Sequence, residues 1–300
     1  MLSSRYNKYN LCYRKEAAME LTGGGGAPLL RVAGLRKRYP SFELRDVSLE
    51  VPAGRIVGFV GRNGAGKTTT LRCVAGAARA DAGTVEVLGR SAEGDWARAR
   101  GLMGIVLGGA LYYETKTLAA IAGVSSRIFD SWDARTFDAL ARRFSLDTGK
   151  RVRELSQGMR VKFALALALS HGARLLVLDE PTSGLDPLSR DELLDLLLDL
   201  VASGERGVLF STHITSDLDK CADDIVHIRR GRVEAACPLA EYRTRYRVAP
   251  AEEARSAGAR VLGTRRTASG ETALVPATAG IGEAADLEQI MTHLDREDGR

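Results

Sequence analysis

The amino-acid sequence predicts an α/β fold built around a parallel sheet. Three short apolar runs, Arg55–Val60, Leu175–Leu178 and Gly207–Phe210, have the length and continuity of strands that are covered on both faces. The stretch Arg190–Val201 separates the second run from the third and has the pattern of a helix. A strand, a helix and a second strand in this order place the two strands parallel in one sheet.

Antiparallel strands are predicted on either side of these runs. Residues 30–32 and Phe42–Val51 alternate apolar and polar side chains, which is typical of half-buried antiparallel strands. Residues 85–89 are predicted as an edge strand, and Asp224–Arg229 with Arg232–Glu234 resemble a hairpin. The long region 92–170 is predicted to be helical. Its candidate core residues are Trp96, Leu102, Leu140, Phe144 and Phe163.

The chain is predicted to divide into three parts. Residues 1–28 are basic, lack periodicity and contain a run of four glycines, so they are predicted to be a disordered extension. Residues 29–245 form the main domain. Residues 246–300 are predicted to be a small α+β appendage, with a strand at Ala273–Val275 and a helix from about Glu283 to His293. Packing against the main domain is its favoured role, with regulation and dimerisation as alternatives.

The composition excludes several classes of protein. Of the 300 residues, 45% are apolar and 27% charged, which excludes a disordered or coiled-coil chain. Four cysteines without a CxxC pair argue against a disulfide scaffold and a zinc site. No apolar run approaches a membrane span, and the first residues lack the apolar core of a secretory signal.

The net charge of +5 is concentrated at the start of the chain. Residues 1–38 carry eight Lys or Arg and two Glu, whereas the rest of the chain is nearly neutral. A basic tail can bind a membrane surface or RNA. A solvated tail is the favoured interpretation, so no nucleic-acid partner is expected.

A glycine-rich segment after the first apolar run fits the pattern of a phosphate-binding loop. Its glycines let successive backbone N–H groups face an anion, and the helix that follows (Thr69–Ala78) adds its positive end. Its lysine can bridge the β- and γ-phosphates, and the threonine hydroxyl can bind Mg²⁺. The loop consists of Gly61, Arg62, Asn63, Gly64, Ala65, Gly66, Lys67 and Thr68.

Two further motifs suit chemistry on a phosphate. The strand Leu175–Asp179 delivers a carboxylate to the sheet edge where open α/β folds bind ligands, and Glu180 follows directly. Asp179 can hold Mg²⁺, and Glu180 can act as the general base that polarises an attacking water. Ser156 can cap the helix Gln157–Ser170, which creates a second potential anion site, although an ordinary N-cap is the favoured interpretation of this motif when it is taken alone.

The order of these motifs resembles the nucleotide-binding subunits of ABC transporters. The phosphate loop is followed by LSQGM (155–159), LVLDEPTSGLD (176–186) and Ser211-Thr212-His213, over about residues 29–240. In detail, residues 132–218 are similar to exporter ATPases that pair with a separately encoded permease. The resemblance implies a P-loop NTPase core with an antiparallel β subdomain and a helical subdomain, the ABC ATPase fold.

The resemblance also implies roles for individual residues. Tyr39 matches the aromatic residue that stacks on adenine, with a core tyrosine as the alternative. Ser156 and Gly158 match the signature that contacts the γ-phosphate bound by the opposite subunit. Asp186 matches the loop that contacts the partner subunit, and His213 matches the switch histidine at the γ-phosphate. The expected ATP and Mg²⁺ contacts of the loop are Gly61, Asn63, Gly64, Ala65, Gly66, Lys67, Thr68 and Thr69, with Thr68 and Asp179 at the metal and Glu180 as base.

In the family, two subunits sit head to tail and enclose two ATP molecules. One copy of each motif in this chain therefore implies a homodimer or a pair with a homologous subunit. The expected function is Mg²⁺-dependent ATP hydrolysis that drives export through a membrane permease, from the cytoplasmic face of the membrane. Leu111–Leu118 and the helical region 92–165 are the expected permease contact.

One family residue is missing from the sequence. The family places a glutamine between the phosphate loop and the signature, but the chain has only Gln157 and Gln289. Gly108 is expected at that position, with either a water or Glu114 taking the place of the missing side chain. Slower or more permease-dependent hydrolysis is the hypothesis that follows.

Two other functions fit the sequence less well. A soluble ABC ATPase that acts on ribosomes or DNA usually has two ATPase halves or a long coiled-coil insertion, and this chain has one half and no heptad run. An ATP-binding regulator without hydrolysis is disfavoured because Glu180 and His213 are both present.

Overall fold

The computed structural model describes residues 27–107, 112–268 and 270–296. The predicted extension over residues 1–28 lies almost wholly outside the described residues. The strands in chain order are β1 (Leu30–Tyr39), β2 (Phe42–Val51), β3 (Ile56–Val60), β4 (Ala82–Val87), β5 (Arg90–Ser91), β6 (Met103–Val106), β7 (Leu175–Asp179), β8 (Gly207–Thr212), β9 (Asp224–Arg229), β10 (Arg232–Pro238), β11 (Tyr246–Pro250), β12 (Gly263–Thr267), β13 (Gly270–Pro276) and β14 (Glu283–Ala284).

Helices connect these strands and cover the central sheet. They are α1 (Lys67–Val74), α2 (Trp96–Gly101), α3 (Leu118–Ile128), α4 (Ala134–Arg143), α5 (Gln157–Ser170), α6 (Pro187–Val201), α7 (Thr215–Cys221), α8 (Leu239–Thr244), α9 (Ala251–Ser256) and α10 (Leu287–Arg296). Among the described residues, no helix combines the length and the apolar character that crossing a bilayer requires.

The predicted parallel sheet is confirmed. Its strand order is β10-β9-β3-β8-β7-β6, and β3, β6, β7, β8 and β9 run parallel while β10 pairs antiparallel with β9. Every residue of β3, β7 and β8 is buried, which explains their continuous apolar sequences. Because parallel strands end at one edge, the residues that follow β3, β7 and β8 lie side by side.

The antiparallel sheet packs over one end of this core in the order β2-β1-β4-β5. The register of β1 and β2 closes at Tyr39 opposite Phe42, as a tight hairpin requires. The strand predicted at 85–89 begins earlier, at Ala82, and ends at Val87. It is not an edge strand in the strict sense, because two residues of β5 pair along its outer side.

The helical prediction for residues 92–170 is wrong at Met103–Val106, which forms β6 beside β7. A four-residue apolar run has too few residues for periodicity to distinguish a strand from a buried turn of helix. The rest of the region contains α2 to α5. Phe144 and Phe163 are buried as expected, whereas Trp96, Leu102 and Leu140 are only partly buried.

Residues 246–296, here called the C-terminal module, contain a sheet of their own in the order β12-β13-β11-β14. The predicted strand is longer than expected, since β13 spans Gly270–Pro276. The predicted helix starts later, at Leu287, because Glu283 and Ala284 pair with β11 instead. Apolar residues of α10 share one hydrophobic cluster with Leu218 and Cys221 of α7, so the module packs on the main domain.

A buried histidine marks the junction between the central sheet and the C-terminal module. His227 on β9 lies with its Nδ1 2.9 Å from the hydroxyl of Tyr242 on α8, whose ring meets Tyr246 edge-on. Burial lowers the pKa of His227 to about 4, and burial also raises the pKa of Tyr242. His227 is therefore neutral in the folded chain at neutral pH.

We expect acid to destabilise the chain partly through His227. The unfolded chain takes up a proton at this histidine near its ordinary pKa of about 6.5, whereas the folded chain does so only near 4. The unfolded state therefore binds more protons between these values, and stability falls as the pH is lowered through this window. Between pH 7 and pH 5 the loss from His227 should be about 2 kcal/mol.

Denaturant unfolding of the wild type and of His227→Gln at both pH values measures this contribution. The wild type should lose about 2 kcal/mol more than the variant. Equal losses in the two proteins would show that the histidine is not held neutral by the fold.

Candidate functional site

The phosphate loop joins β3 to α1, as its sequence context predicted. Gly66 adopts φ 117°, a left-handed conformation, and Lys67 begins the helix directly after it. A Cβ on Gly66 would lie 2.6 Å from Leu44 Cδ2 and 2.9 Å from Phe42 Cζ. The antiparallel sheet therefore presses on the loop, and only glycine fits there.

The hairpin between β9 and β10 supports the loop from the other side. The backbone N–H of Gly231 donates to the carbonyl of Ala65 at 2.9 Å, and the carbonyl of Gly231 accepts from Arg45 at 2.7 Å. The hairpin thus ties the loop to β2. The loop is therefore held in shape by β2 and by the β9–β10 hairpin before any ligand contributes.

We expect Gly66→Ala to abolish nucleotide binding. Alanine at this φ is strained by about 1–2 kcal/mol, and its methyl group meets Leu44 and Phe42. The loop must open to relieve the contact, which turns its N–H groups away from a common centre. Fluorescent ATP-analogue titration measures the loss, and Gly64→Ala is the comparison, because no atom lies within 4 Å of a Cβ at Gly64 although its φ is also positive. Equal affinities in the two variants would contradict this account.

Lys67 lies over the loop with its ammonium group fixed. Nζ donates to the carbonyl of Gly61 at 2.6 Å and to that of Arg62 at 3.3 Å, and the residue is 5% exposed. Two backbone carbonyls hold the charge without neutralising it. The ammonium is therefore already placed where phosphate oxygens would meet it.

The acidic pair after β7 lies beside this lysine. Asp179 is buried, and its Oδ1 accepts a hydrogen bond of 2.5 Å from the hydroxyl of Ser211 on β8. Glu180 follows in a left-handed conformation, φ 52°, and its N–H donates to the carbonyl of Ser211. Such backbone strain on a non-glycine residue is found mainly at functional sites.

The carboxylate of Glu180 connects two of the predicted site residues. Its Oε1 lies 3.6 Å from Lys67 Nζ, and its Oε2 lies 2.6 Å from Nδ1 of His213. His213 is placed by the end of β8, one strand away from β7. A base, a cation and a histidine thus meet at one edge of the sheet, where each can act on the same phosphate.

The residues expected at Mg²⁺ suit a hard cation. Asp179 is buried with one oxygen held by Ser211, and among the described residues it forms no ion pair, which leaves its other oxygen available. Thr68 adds a hydroxyl at the exposed start of α1. The described part of the chain has no cluster of three or more His, Cys, Asp or Glu side chains that could hold a metal. A carboxylate and a hydroxyl are oxygen ligands of the kind that Mg²⁺ takes in proteins.

The signature residues lie at the start of α5. The hydroxyl of Ser156 accepts from the N–H of Met159 at 3.3 Å, which confirms the predicted N-cap. A Cβ on Gly158 would lie 3.3 Å from Leu185 Cδ2 and 3.7 Å from Ser189 Cβ. The signature thus packs beside the start of α6.

Asp186 lies in the same neighbourhood, at the start of α6. Its Oδ1 accepts from the N–H of Ser189 at 3.0 Å, and this hydrogen bond lowers the pKa of Asp186. The predicted site residues therefore form two groups in one chain. One contains the loop, Asp179, Glu180 and His213, and the other contains the signature and Asp186.

Tyr39 lies at the exposed end of β1. It is 40% exposed, so the alternative of a core tyrosine is wrong. Its register partner Phe42 is the residue that would contact a Cβ on Gly66, which places the ring near the phosphate loop. The ammonium of Lys37 lies 5.5 Å from the ring centroid. The exposed ring is available to stack on a base.

Glu114 does not take the place of the missing glutamine side chain in this structure. Gly108 lies outside the described residues. Glu114 does not point at Lys67, because its Oε1 pairs with Arg160 Nη1 at 2.8 Å, and this hydrogen bond lowers the pKa of Glu114. Its carbonyl also accepts from the N–H of Arg153. Glu114 therefore joins the segment after Gly108 to the signature helix.

Ser211 is a site residue that sequence reasoning missed. The sequence presented it only as part of the Ser211-Thr212-His213 motif, without a role. Its hydroxyl fixes Asp179 and its carbonyl fixes the backbone of Glu180. Its position near the end of the buried strand β8, which pairs with β7, could have indicated this role.

The site combines a phosphate loop and its lysine after β3, an Asp–Glu pair at the end of β7, and a histidine after β8, the strand between them. These features are typical of a P-loop ATPase. Comparisons with known proteins make the class specific. A family model described as ABC transporter matches residues 44–183. The Nod factor export ATP-binding protein I of Ralstonia nicotianae is 35% identical over 216 residues, which cover 70% of this chain and 67% of that protein.

Two further similarities extend over most of the chain. The aliphatic sulfonates import ATP-binding protein SsuB 2 of Agrobacterium fabrum is 33% identical over 261 residues, 86% of this chain and 98% of that protein. A solved structure described as the ATP binding subunit of an ABC transporter has a TM-score of 0.66 and 28% identity, and covers 72% of this chain and 92% of its own. The chain belongs to the ABC transporter family, as an ATP-binding subunit and ATPase.

Proposed function

We propose that two copies of this chain, or one copy and a homologous subunit, bind two ATP molecules head to tail and hydrolyse them with Mg²⁺. The separation of the site residues into two groups carries this proposal. Gly158 lies against Leu185 and Ser189 at the start of α6, whereas Lys67 is held by carbonyls of the loop and lies beside Glu180. A second subunit is needed to bring a signature to the loop.

Within each site, the residues take separate tasks. The loop N–H groups and Lys67 bind the phosphates, and Tyr39 stacks on the adenine. Thr68 and Asp179 would hold Mg²⁺, which supplies charge neutralisation at the phosphates. Glu180 takes the proton of the attacking water, and His213, at 2.6 Å, fixes the carboxylate and contacts the γ-phosphate. Ser156, Gly158 and Asp186 act on the partner's nucleotide.

The energy of hydrolysis is proposed to drive export through a membrane permease, from the cytoplasmic face. Export is favoured by the Nod factor relative and by the exporter-like detail of residues 132–218, and the sulfonate relative makes import the competing direction. The helical region offers a contact for the permease. Tyr113 is 80% exposed, and Val124 and Ile128, one turn apart on α3, are 54% and 66% exposed.

The dependence of ATPase activity on protein concentration tests the proposal. Activity per chain should rise with concentration and reach a plateau as dimers form, and EDTA should abolish it. Constant activity per chain from nanomolar concentrations upward would show that one chain suffices. Addition of Glu180→Gln chains to the wild type at fixed total ATP serves as the control, because mixed dimers should change the activity of the wild-type subunit only if the subunits meet.

A further inference from the structure

Asp217 is a buried carboxylate without a hydrogen bond. It is 1% exposed, and neither of its side-chain oxygens has a hydrogen-bond partner. Lys220, which pairs with Asp191, also interacts electrostatically with Asp217. The ion-pair partner of Asp217 is Arg190, whose Nε lies 3.9 Å from Oδ1 and is itself buried without a hydrogen bond. A buried charge is costly unless it is paired and hydrogen-bonded. The two groups attract each other but are too far apart for a hydrogen bond.

The pair connects two parts of the site. Arg190 lies four residues after Asp186, near the start of α6, and Asp217 lies four residues after His213, in the first turn of α7. Asp186 belongs to the segment that faces the partner subunit in the proposed dimer, and His213 holds Glu180. Arg190 and Asp217 thus link the start of α6 to the helix that follows His213 in the chain.

We propose that Arg190 and Asp217 are positioning residues that make hydrolysis depend on the partner subunit. This inference rests on the proposed dimer. When the partner engages the start of α6, the pair closes by about 1 Å to the length of a charge-assisted hydrogen bond. Closure fixes α7, and α7 sets His213 and Glu180 against the γ-phosphate. In a lone subunit the pair stays open, and His213 is held by its hydrogen bond to Glu180 without support from α7.

A second ion pair between the same helices is a matched control. Lys220 Nζ lies 2.6 Å from Asp191 Oδ1, next in sequence to Arg190, and both side chains are more than half exposed. This pair is already closed and lies in water, so its loss should have little effect. If loss of any contact between α6 and α7 lowered kcat, variants of both pairs would show the loss.

The test compares kcat, KM for ATP and the melting temperature of full-length variants. Asp217→Asn should lower kcat about 10- to 100-fold with KM for ATP nearly unchanged, since a shift of about 1 Å in a catalytic group has effects of this size. Its melting temperature should change little, because neither carboxylate oxygen of Asp217 has a hydrogen bond to lose. Asp217→Glu can reach across the gap and should keep about half of the wild-type kcat or more. Asp191→Asn should match the wild type.

Arg190→Lys, which keeps the charge but lacks the Nε donor, should reproduce the loss of kcat and guards against a folding defect in Asp217→Asn. Wild-type kcat in either variant would overturn the proposal. An equal loss of kcat in Asp191→Asn would contradict a specific role for Arg190 and Asp217. A loss of kcat with a lower melting temperature and no rescue by Asp217→Glu would show that the pair is only structural. A wild type without ATPase activity at any concentration would instead remove the proposed function on which the inference rests.

Discussion

Glu180→Gln should bind ATP normally, lose about 10²–10⁴-fold in hydrolysis and accumulate as a dimer in the presence of ATP. The amide has the size of the carboxylate and can still meet His213, but it cannot take the proton of the attacking water. ATP then stays between the subunits and keeps them together. Removing the negative charge 3.6 Å from Lys67 also leaves more of the ammonium's field for the phosphates.

Size-exclusion chromatography with and without ATP measures this result. The dimer should appear only with ATP, and the double variant Glu180→Gln with Lys67→Ala should stay monomeric under the same conditions. A Glu180→Gln chain that elutes as a monomer while ATP is bound would contradict the role of ATP as the contact between subunits.

Lys67→Ala should weaken ATP binding about 30- to 150-fold and abolish measurable hydrolysis. The ammonium is buried and held by the carbonyls of Gly61 and Arg62. A hydrogen bond to a charged group contributes about 2–3 kcal/mol, which corresponds to this loss of affinity. The ammonium also neutralises charge that develops during hydrolysis, so the effect on the rate exceeds the effect on binding.

Calorimetric titration with ATP and a steady-state ATPase assay measure the two effects. Lys220→Ala is a suitable control, because this lysine is exposed and lies in an ion pair outside the loop. Retention of ATPase activity in Lys67→Ala would show that the loop is not the catalytic phosphate site.

The sequence predicted those parts of the site that depend on local pattern. The loop, Asp179, Glu180 and His213 each follow a buried strand, and strand ends in a parallel sheet meet at one edge. The cap at Ser156 also depends only on its own helix. These features could therefore be predicted before any contact between distant segments was known.

Contacts between distant segments could not be predicted in this way. Two ion pairs have no sequence pattern that could predict them, because each joins segments that are far apart in the chain. They are Glu114 with Arg160 and Arg190 with Asp217. The strand β6 was missed because four apolar residues fit a helix as well as a strand. The C-terminal sheet was underestimated because its short, polar strands are stabilised by pairing rather than by their own pattern.

Mixing two inactive variants tests the composite site most directly. Lys67→Ala inactivates the loop but leaves the signature, and Ser156→Arg blocks the signature but leaves the loop. If each site combines the loop of one subunit with the signature of the other, a mixed dimer contains one intact site. With free exchange, half of the dimers are mixed, and the mixture should recover roughly one quarter of the wild-type activity. A mixture as inactive as its components would contradict the head-to-tail arrangement.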